Sequence, residues 1–126
     1  MEYFHTALSV RDMARSQKFY EDVFGFKLKS ETERPELKIA YLEDASGAVI
    51  ELFEHANASP LAENLMDYQR IGFKHIAFTV ENIETVIEVA VQHGATLIRP
   101  LVSGAMVKRK AFIADPDGLA VELVEI

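Results

Sequence analysis

The chain contains no cysteine, which excludes disulfides, thiolate metal sites and cysteine nucleophiles. It has no apolar run approaching the ~18 residues that a membrane-crossing helix needs. Its opening residues, Met-Glu-Tyr-Phe-His, lack the positive region and long apolar stretch of a signal peptide, so a cytoplasmic location is expected. Positive charge is also scarce: 13 Lys and Arg stand against 20 Asp and Glu, a net charge of −7. Neither nucleic acid nor an anionic membrane surface is the partner this balance predicts. The only dense basic spot is 108-KRK-110. What is present is a chain of 126 residues, 49% hydrophobic and 26% charged, which suits one domain with a real core.

That chain is written twice. The stretch 73-FKHIAFTVENI-83 repeats 3-YFHTALSVRDM-13, and setting His5 over His75 gives H-x-A-[L/F]-[S/T]-V-x-[D/N]-[M/I] in both. Further on, 44-DASGAVIELFE-54 lies over 115-DPDGLAVELVE-125, with Asp, Gly, Glu, Leu and Glu in place. Two units of half a chain fit this better than a solenoid of three or more.

Each copy reads as β-α-β-β-β. Residues 3–10 alternate, with Phe4, Leu8 and Val10 on one face and Tyr3, His5, Ala7 and Ser9 on the other. Asp12 then caps a helix whose stripe is Met13, Phe19, Tyr20, Val23 and Phe24, and Gly25 stops it. Strands are predicted near 26–32, 37–43 and 48–54, the last two separated by the turn 44-DASG-47. In the second copy Ile76, Phe78 and Val80 oppose His75, Ala77 and Thr79. Asn82 caps a helix with Ile83, Val86, Ile87, Ala90 and Val91 inward, and Gly94 ends it. Strands follow near 95–99, 108–114 and 119–125, with 115-DPDG-118 as the last turn. The expectation is a single α+β domain over 1–126, made of modules at about 1–55 and 72–126 and a linker at 56–71. Ser59-Pro60 would start a short helix in the linker.

Two such modules predict a curved, mixed, largely antiparallel sheet with helices on one face, packed through Leu8, Val10, Ile76 and Phe78. The other face is left as a concave cup. Alternation directs His5 and His75 to the cup and sets Glu51 and Glu122 apart from the core residues Leu52 and Leu123. Four polar side chains in a pocket need a reason to be there. Two imidazoles and two carboxylates suit one divalent ion, and zinc, nickel, cobalt, manganese and ferrous iron all accept that set. The pairs keep register: Glu51 lies 46 residues after His5, and Glu122 lies 47 after His75.

The segments 5-HTALSV-10, 19-FYEDVFGFKL-28, 49-VIELFE-54, 75-HIAFTV-80 and 115-DPDGLAVELVE-125 together resemble the vicinal oxygen chelate superfamily. That superfamily includes glyoxalase I, methylmalonyl-CoA epimerase, extradiol dioxygenases and fosfomycin-resistance proteins. The resemblance covers nearly the whole chain, and its His…Glu…His…Glu set is most similar to glyoxalase I. It implies His5, Glu51, His75 and Glu122 as ligands of one divalent ion per site, nickel or zinc ahead of cobalt, manganese or iron. It also implies a homodimer with sites at the interface, where His5 and Glu51 come from one chain and His75 and Glu122 from the other. The implied activity is that of a lactoylglutathione lyase. A proton is removed next to a carbonyl and an enediolate is stabilised by the metal, on the hemithioacetal of methylglyoxal with glutathione or another thiol. Glu122 is the expected base and Glu51 its partner.

The chain departs from the glutathione-using pattern at two positions. Ser9 stands where an Arg often follows the first His, and His55 where an Asn often follows the first metal Glu. Neither supplies a fixed guanidinium fork. Ser9, His55, Lys108 and Arg109 are therefore the candidate substrate-binding residues, with the basic run as a substitute clamp. His93, near a helix C-terminus, is expected at the surface. Three alternatives stay open: an epimerase or isomerase of another thioester or ketone, an extradiol-type iron dioxygenase using two His and one Glu, and a metal-free binding module lined by Tyr3, Tyr41 and Phe53.

Overall fold

A computed structural model of the chain describes residues 1–61 and 65–126. The helix expected from Ser59-Pro60 would run through residues 62–64 and so lies outside the described residues. The chain divides into two units, Met1–Pro60 and Leu61–Ile126.

In the first unit β1 (Thr6–Ser9) leads to α1 (Met13–Phe24), followed by β2 (Lys27–Arg34), β3 (Leu37–Glu43) and β4 (Val49–His55). The strands form a sheet in the order β1-β4-β3-β2. β1 runs parallel to β4 and the other pairs are antiparallel. The second unit repeats this with β5 (Ile76–Thr79), α2 (Ile83–Gln92), β6 (Thr96–Ser103), β7 (Arg109–Ala114) and β8 (Ala120–Glu125), in the order β5-β8-β7-β6. The β-α-β-β-β order is present twice, as expected, but the hydrogen bonding makes two four-stranded mixed sheets in place of one.

Local signals account for the helix ends. Asp12 accepts a hydrogen bond from the Arg15 N–H at 3.1 Å, and Asn82 accepts one from Thr85 at 2.9 Å, each satisfying a first-turn donor. Gly25 has φ 75, a left-handed conformation that glycine adopts without strain. A second, long-range anchor also occurs in both units. Glu54 Oε2 accepts from the Met13 N–H at 2.6 Å, and Glu125 Oε2 from the Ile83 N–H at 3.2 Å. A carboxylate at a helix N-terminus meets both free donors and the positive end of the dipole. The last Glu of each repeat thus ties its sheet to its helix.

The turns repeat as well. Asp44 Oδ1 accepts from the backbone N–H groups of Ser46 and Ala48 at 2.9 Å, and Asp115 Oδ1 from those of Asp117 and Leu119 at 2.9 Å. The core of the first unit holds Val10, Phe19, Tyr20, Phe26, Leu42 and Leu52, and that of the second Ile83, Ala90, Ile113, Val121 and Leu123. Val91, expected inward, is 51% exposed, because it lies about 100° further round the helix than the buried Ala90. The first strands are shorter than predicted, so His5 and His75 each stand one residue ahead of a strand. The edge strand β2 is exposed throughout and rich in charge, which blunts pairing with other chains. Among the described residues no helix is long and apolar enough to cross a membrane.

Candidate functional site

Strand alternation puts His5, Ala7 and Ser9 on one side of the first unit's sheet. The register then builds a row across it. Ala7 lies beside Glu51, Glu51 beside Tyr41, and Tyr41 beside Ser30. The small Ala7 leaves room for the imidazole two residues earlier, and His5 Nε2 stands 3.2 Å from Glu51 Oε1. His5 Nδ1 is buried without a hydrogen-bond partner among the described residues. The Tyr41 ring meets His5 edge-on at 5.4 Å and stacks on Phe4 at 5.7 Å. Its hydroxyl hydrogen-bonds to Glu51, and this bond, with burial and the carboxylate charge after it, holds the Tyr41 pKa above the ordinary phenol value.

The second unit repeats the row with different members. Ala77 lies beside Glu122, Glu122 beside Phe112, and Phe112 beside Arg99. His75 Nε2 is 2.9 Å from Glu122 Oε2, and the Phe112 ring meets His75 edge-on at 5.1 Å. The Arg99 guanidinium lies over the rings of Tyr68 at 5.4 Å and Phe112 at 5.9 Å, a cation held on aromatic faces. An irregularity in β6 between Leu97 and Arg99 sets this pairing.

The structure therefore brings His5 to Glu51 and His75 to Glu122. Among the described residues no group of three or more His, Asp and Glu side chains is gathered so as to hold an ion by itself. The donor chemistry of the pairs suits a divalent cation. Two ligands at roughly 2.1 Å from one ion and at right angles to each other stand about 3.0 Å apart, close to both nitrogen–oxygen distances.

The remaining candidates lie as follows. Ser9 is exposed on the His5 side of β1, and it pairs with Phe53. His55, exposed at the end of β4, accepts the Asn57 N–H on its Nδ1 at 2.9 Å. Lys108 is exposed just ahead of β7. Arg109 forms two bonds to Glu84, at 2.7 and 2.9 Å, and a third to Glu125. These bonds keep the guanidinium protonated and hold the Glu84 and Glu125 pKa values below the ordinary carboxylate range. Arg109 is thus committed on the helix side of the sheet, with Glu125, the anchor of α2. Alternation puts Lys110 and not Arg109 on the face of Phe112, a distinction that the two-residue period of β7 already contains. His93 is half-buried, its Nδ1 on the Val89 carbonyl at 2.9 Å. Tyr3 is exposed and hydrogen-bonded to the Thr6 hydroxyl.

Sequence reasoning missed three features: Arg99, Tyr41 as a partner of Glu51, and Glu54 with Glu125 as helix anchors. Only the last left a signal, since both glutamates recur in the repeat.

The comparisons with known proteins agree with this frame. The description of the Glyoxalase/Bleomycin resistance protein/Dioxygenase superfamily matches residues 3–123. The lactoylglutathione lyase of Escherichia coli O157:H7 is 35% identical over 135 aligned residues, covering 99% of this chain and 93% of the relative. That of Haemophilus influenzae is 33% identical over 141 aligned residues, with the same coverage. Among solved structures, the glyoxalase I of Leishmania major, described as trypanothione-dependent, superposes with a TM-score of 0.79 at 25% identity over 99% of this chain and 86% of that one. The chain belongs to the glyoxalase, bleomycin resistance protein and dioxygenase superfamily.

Proposed function

We propose that this glyoxalase I-like lyase isomerises the hemithioacetal of methylglyoxal with glutathione or another thiol, as a cytoplasmic detoxification step. His5, Glu51, His75 and Glu122 would hold one divalent ion, nickel or zinc before cobalt, manganese or iron. The observation that carries this is the duplicated pair: an imidazole Nε2 at 3.2 Å and 2.9 Å from a carboxylate in structurally equivalent places. When bound, the ion would polarise the substrate oxygens and stabilise the charge that develops on them. By the resemblance to glyoxalase I, we assign the site to a homodimer, with His5 and Glu51 of one protomer facing His75 and Glu122 of its partner.

Glu122 takes the proton from the carbon bearing sulfur and returns a proton to the neighbouring carbonyl carbon. The hydroxyl proton passes between the two oxygens, so the product is an isomer and nothing else is consumed. Glu51 serves as the second carboxylate. Arg99, fixed over Tyr68 and Phe112 in the row of Glu122, offers the rigid guanidinium fork that neither Ser9 nor His55 can supply, and we assign it to a carboxylate of the thiol. The relatives' names point to glutathione, whereas the Leishmania enzyme's description shows that the thiol varies within the fold.

Elemental analysis of untagged protein purified without chelator, beside His75→Ala, tests the metal. About one ion per site, lost in the variant, is expected, followed by turnover of the methylglyoxal–glutathione hemithioacetal. Iron as the bound metal would favour a dioxygenase. No metal, and none taken up on addition, would leave a binding module.

A further inference from the structure

The two carboxylates of the proposed site have equivalent places but unequal surroundings. Among the described residues Glu51 has two side-chain partners, the imidazole of His5 and the hydroxyl of Tyr41, which lies directly across the β3–β4 ladder from it. Glu122 has the imidazole of His75, and the residue directly across from it is Phe112. Both rings meet their histidine edge-on, at 5.4 and 5.1 Å. The rows differ at this position by one oxygen atom. The Tyr41 ring is itself fixed, stacked on Phe4 with an interplanar angle of 22°. A hydroxyl that a stacked ring holds against a carboxylate selects one carboxylate orientation, which is how outer partners orient ligating groups. Phe112 can wall the site but cannot hold Glu122.

We propose that Tyr41 is a positioning residue that fixes Glu51 as the static carboxylate of the pair and leaves Glu122, opposite Phe112, free to leave its partner and carry the proton. This rests on the function proposed above and adds a reason within this chain for the inequality of the two glutamates.

The test uses full-length wild type, Tyr41→Phe and Phe112→Tyr, with thermal unfolding as the control for folding. Each unit tolerates the other's ring in an equivalent place, so both variants are expected to fold. Zinc affinity is measured by competition with a chromophoric chelator, and kcat and KM at saturating metal with the methylglyoxal–glutathione hemithioacetal. Tyr41→Phe is expected to weaken zinc binding by about 10- to 100-fold, with KM at saturating metal little changed. Phe112→Tyr, which ties down the second carboxylate, is expected to keep zinc affinity and lower kcat roughly tenfold. A folded Tyr41→Phe with wild-type zinc affinity overturns the proposal, as does a folded Phe112→Tyr with wild-type kcat. Wild type that binds zinc and turns over beside either result leaves the lyase reading standing. Wild type that takes up no metal overturns both.

Discussion

Laid side by side, the two units are one frame carrying two chemistries. The first has the row Ser30, Tyr41, Glu51 and His5, and the second Arg99, Phe112, Glu122 and His75. The His–Glu pair is common to both, as are the N-cap, the Asp turn and the glutamate that anchors the helix. The differences fall at the two positions outside the pair. One unit presents a hydroxyl to its carboxylate. The other presents a bare ring and, beyond it, a cation. The repeat puts the two His–Glu pairs in register, and different residues at the flanking positions make the halves unequal. On our reading the first unit holds and the second reacts.

The largest effect should come from the carboxylates. Glu122→Gln is expected to lower kcat by about 10²- to 10⁴-fold, the range for loss of a positioned base, with the fold intact by circular dichroism. Glu51→Gln should act chiefly through metal loss and recover part of its activity as metal is added. Equal, metal-independent losses in the two variants would erase the distinction between the units.

Next is Arg99, whose counterpart in the first unit is Ser30. Arg99→Ala should raise KM for the glutathione hemithioacetal roughly tenfold with kcat little changed, as loss of a charge-assisted bond to bound substrate predicts. Unchanged steady-state constants would remove Arg99 from substrate binding.

A third contrast concerns acid stability. Arg109 and Glu125 form an ion pair at the start of α2, and Glu54, the anchor of α1, has Lys38 at 4.0 Å. The folded pKa of Glu125 lies below 4.5, its unperturbed value. Its contribution is therefore present above pH 4.5 and is lost as pH falls through the folded value. Arg109→Gln should destabilise the protein at neutral pH, and the gap to wild type should narrow below pH 4.5 in urea titrations. A gap that stays constant with pH would show that the pair contributes by packing alone.

The smallest effect should be symmetric. Asp12→Ala and Asn82→Ala each remove one N-cap and should each cost about 1 kcal/mol in chemical denaturation. A clear inequality would mean that the long-range glutamate compensates in one unit only.

Much of this was legible in the chain. Asp12, Asn82, Gly25 and the two Asp-led turns act through neighbours within five residues, so their spacing suffices to read them. The strand faces follow from a period of two, which is why His5, Glu51, His75 and Glu122 could be singled out and paired. The period fails at Phe4, which was expected on the face of Leu8 and Val10 and instead lies ahead of β1, stacked on Tyr41 beside His5. The same period, applied to 108-KRK-110, separates Arg109 from the site, although the run as a block suggested a clamp. Val91 shows the limit of a helical stripe read by eye, since apolar character at its margin does not secure burial.

What the sequence alone determined is local or repeated: two copies of β-α-β-β-β, their caps and turns, and a histidine and a glutamate on the same face of each sheet. Tertiary structure decided which strand residues stand across from one another. Tyr41 reaches Glu51, and Arg99 comes to lie over Phe112, only because the β2–β3–β4 and β6–β7–β8 registers, including the irregularity in β6, put them in one row. Such pairings join residues far apart in the chain. Their register depends on how whole strands bury one face, and no short stretch of sequence encodes that.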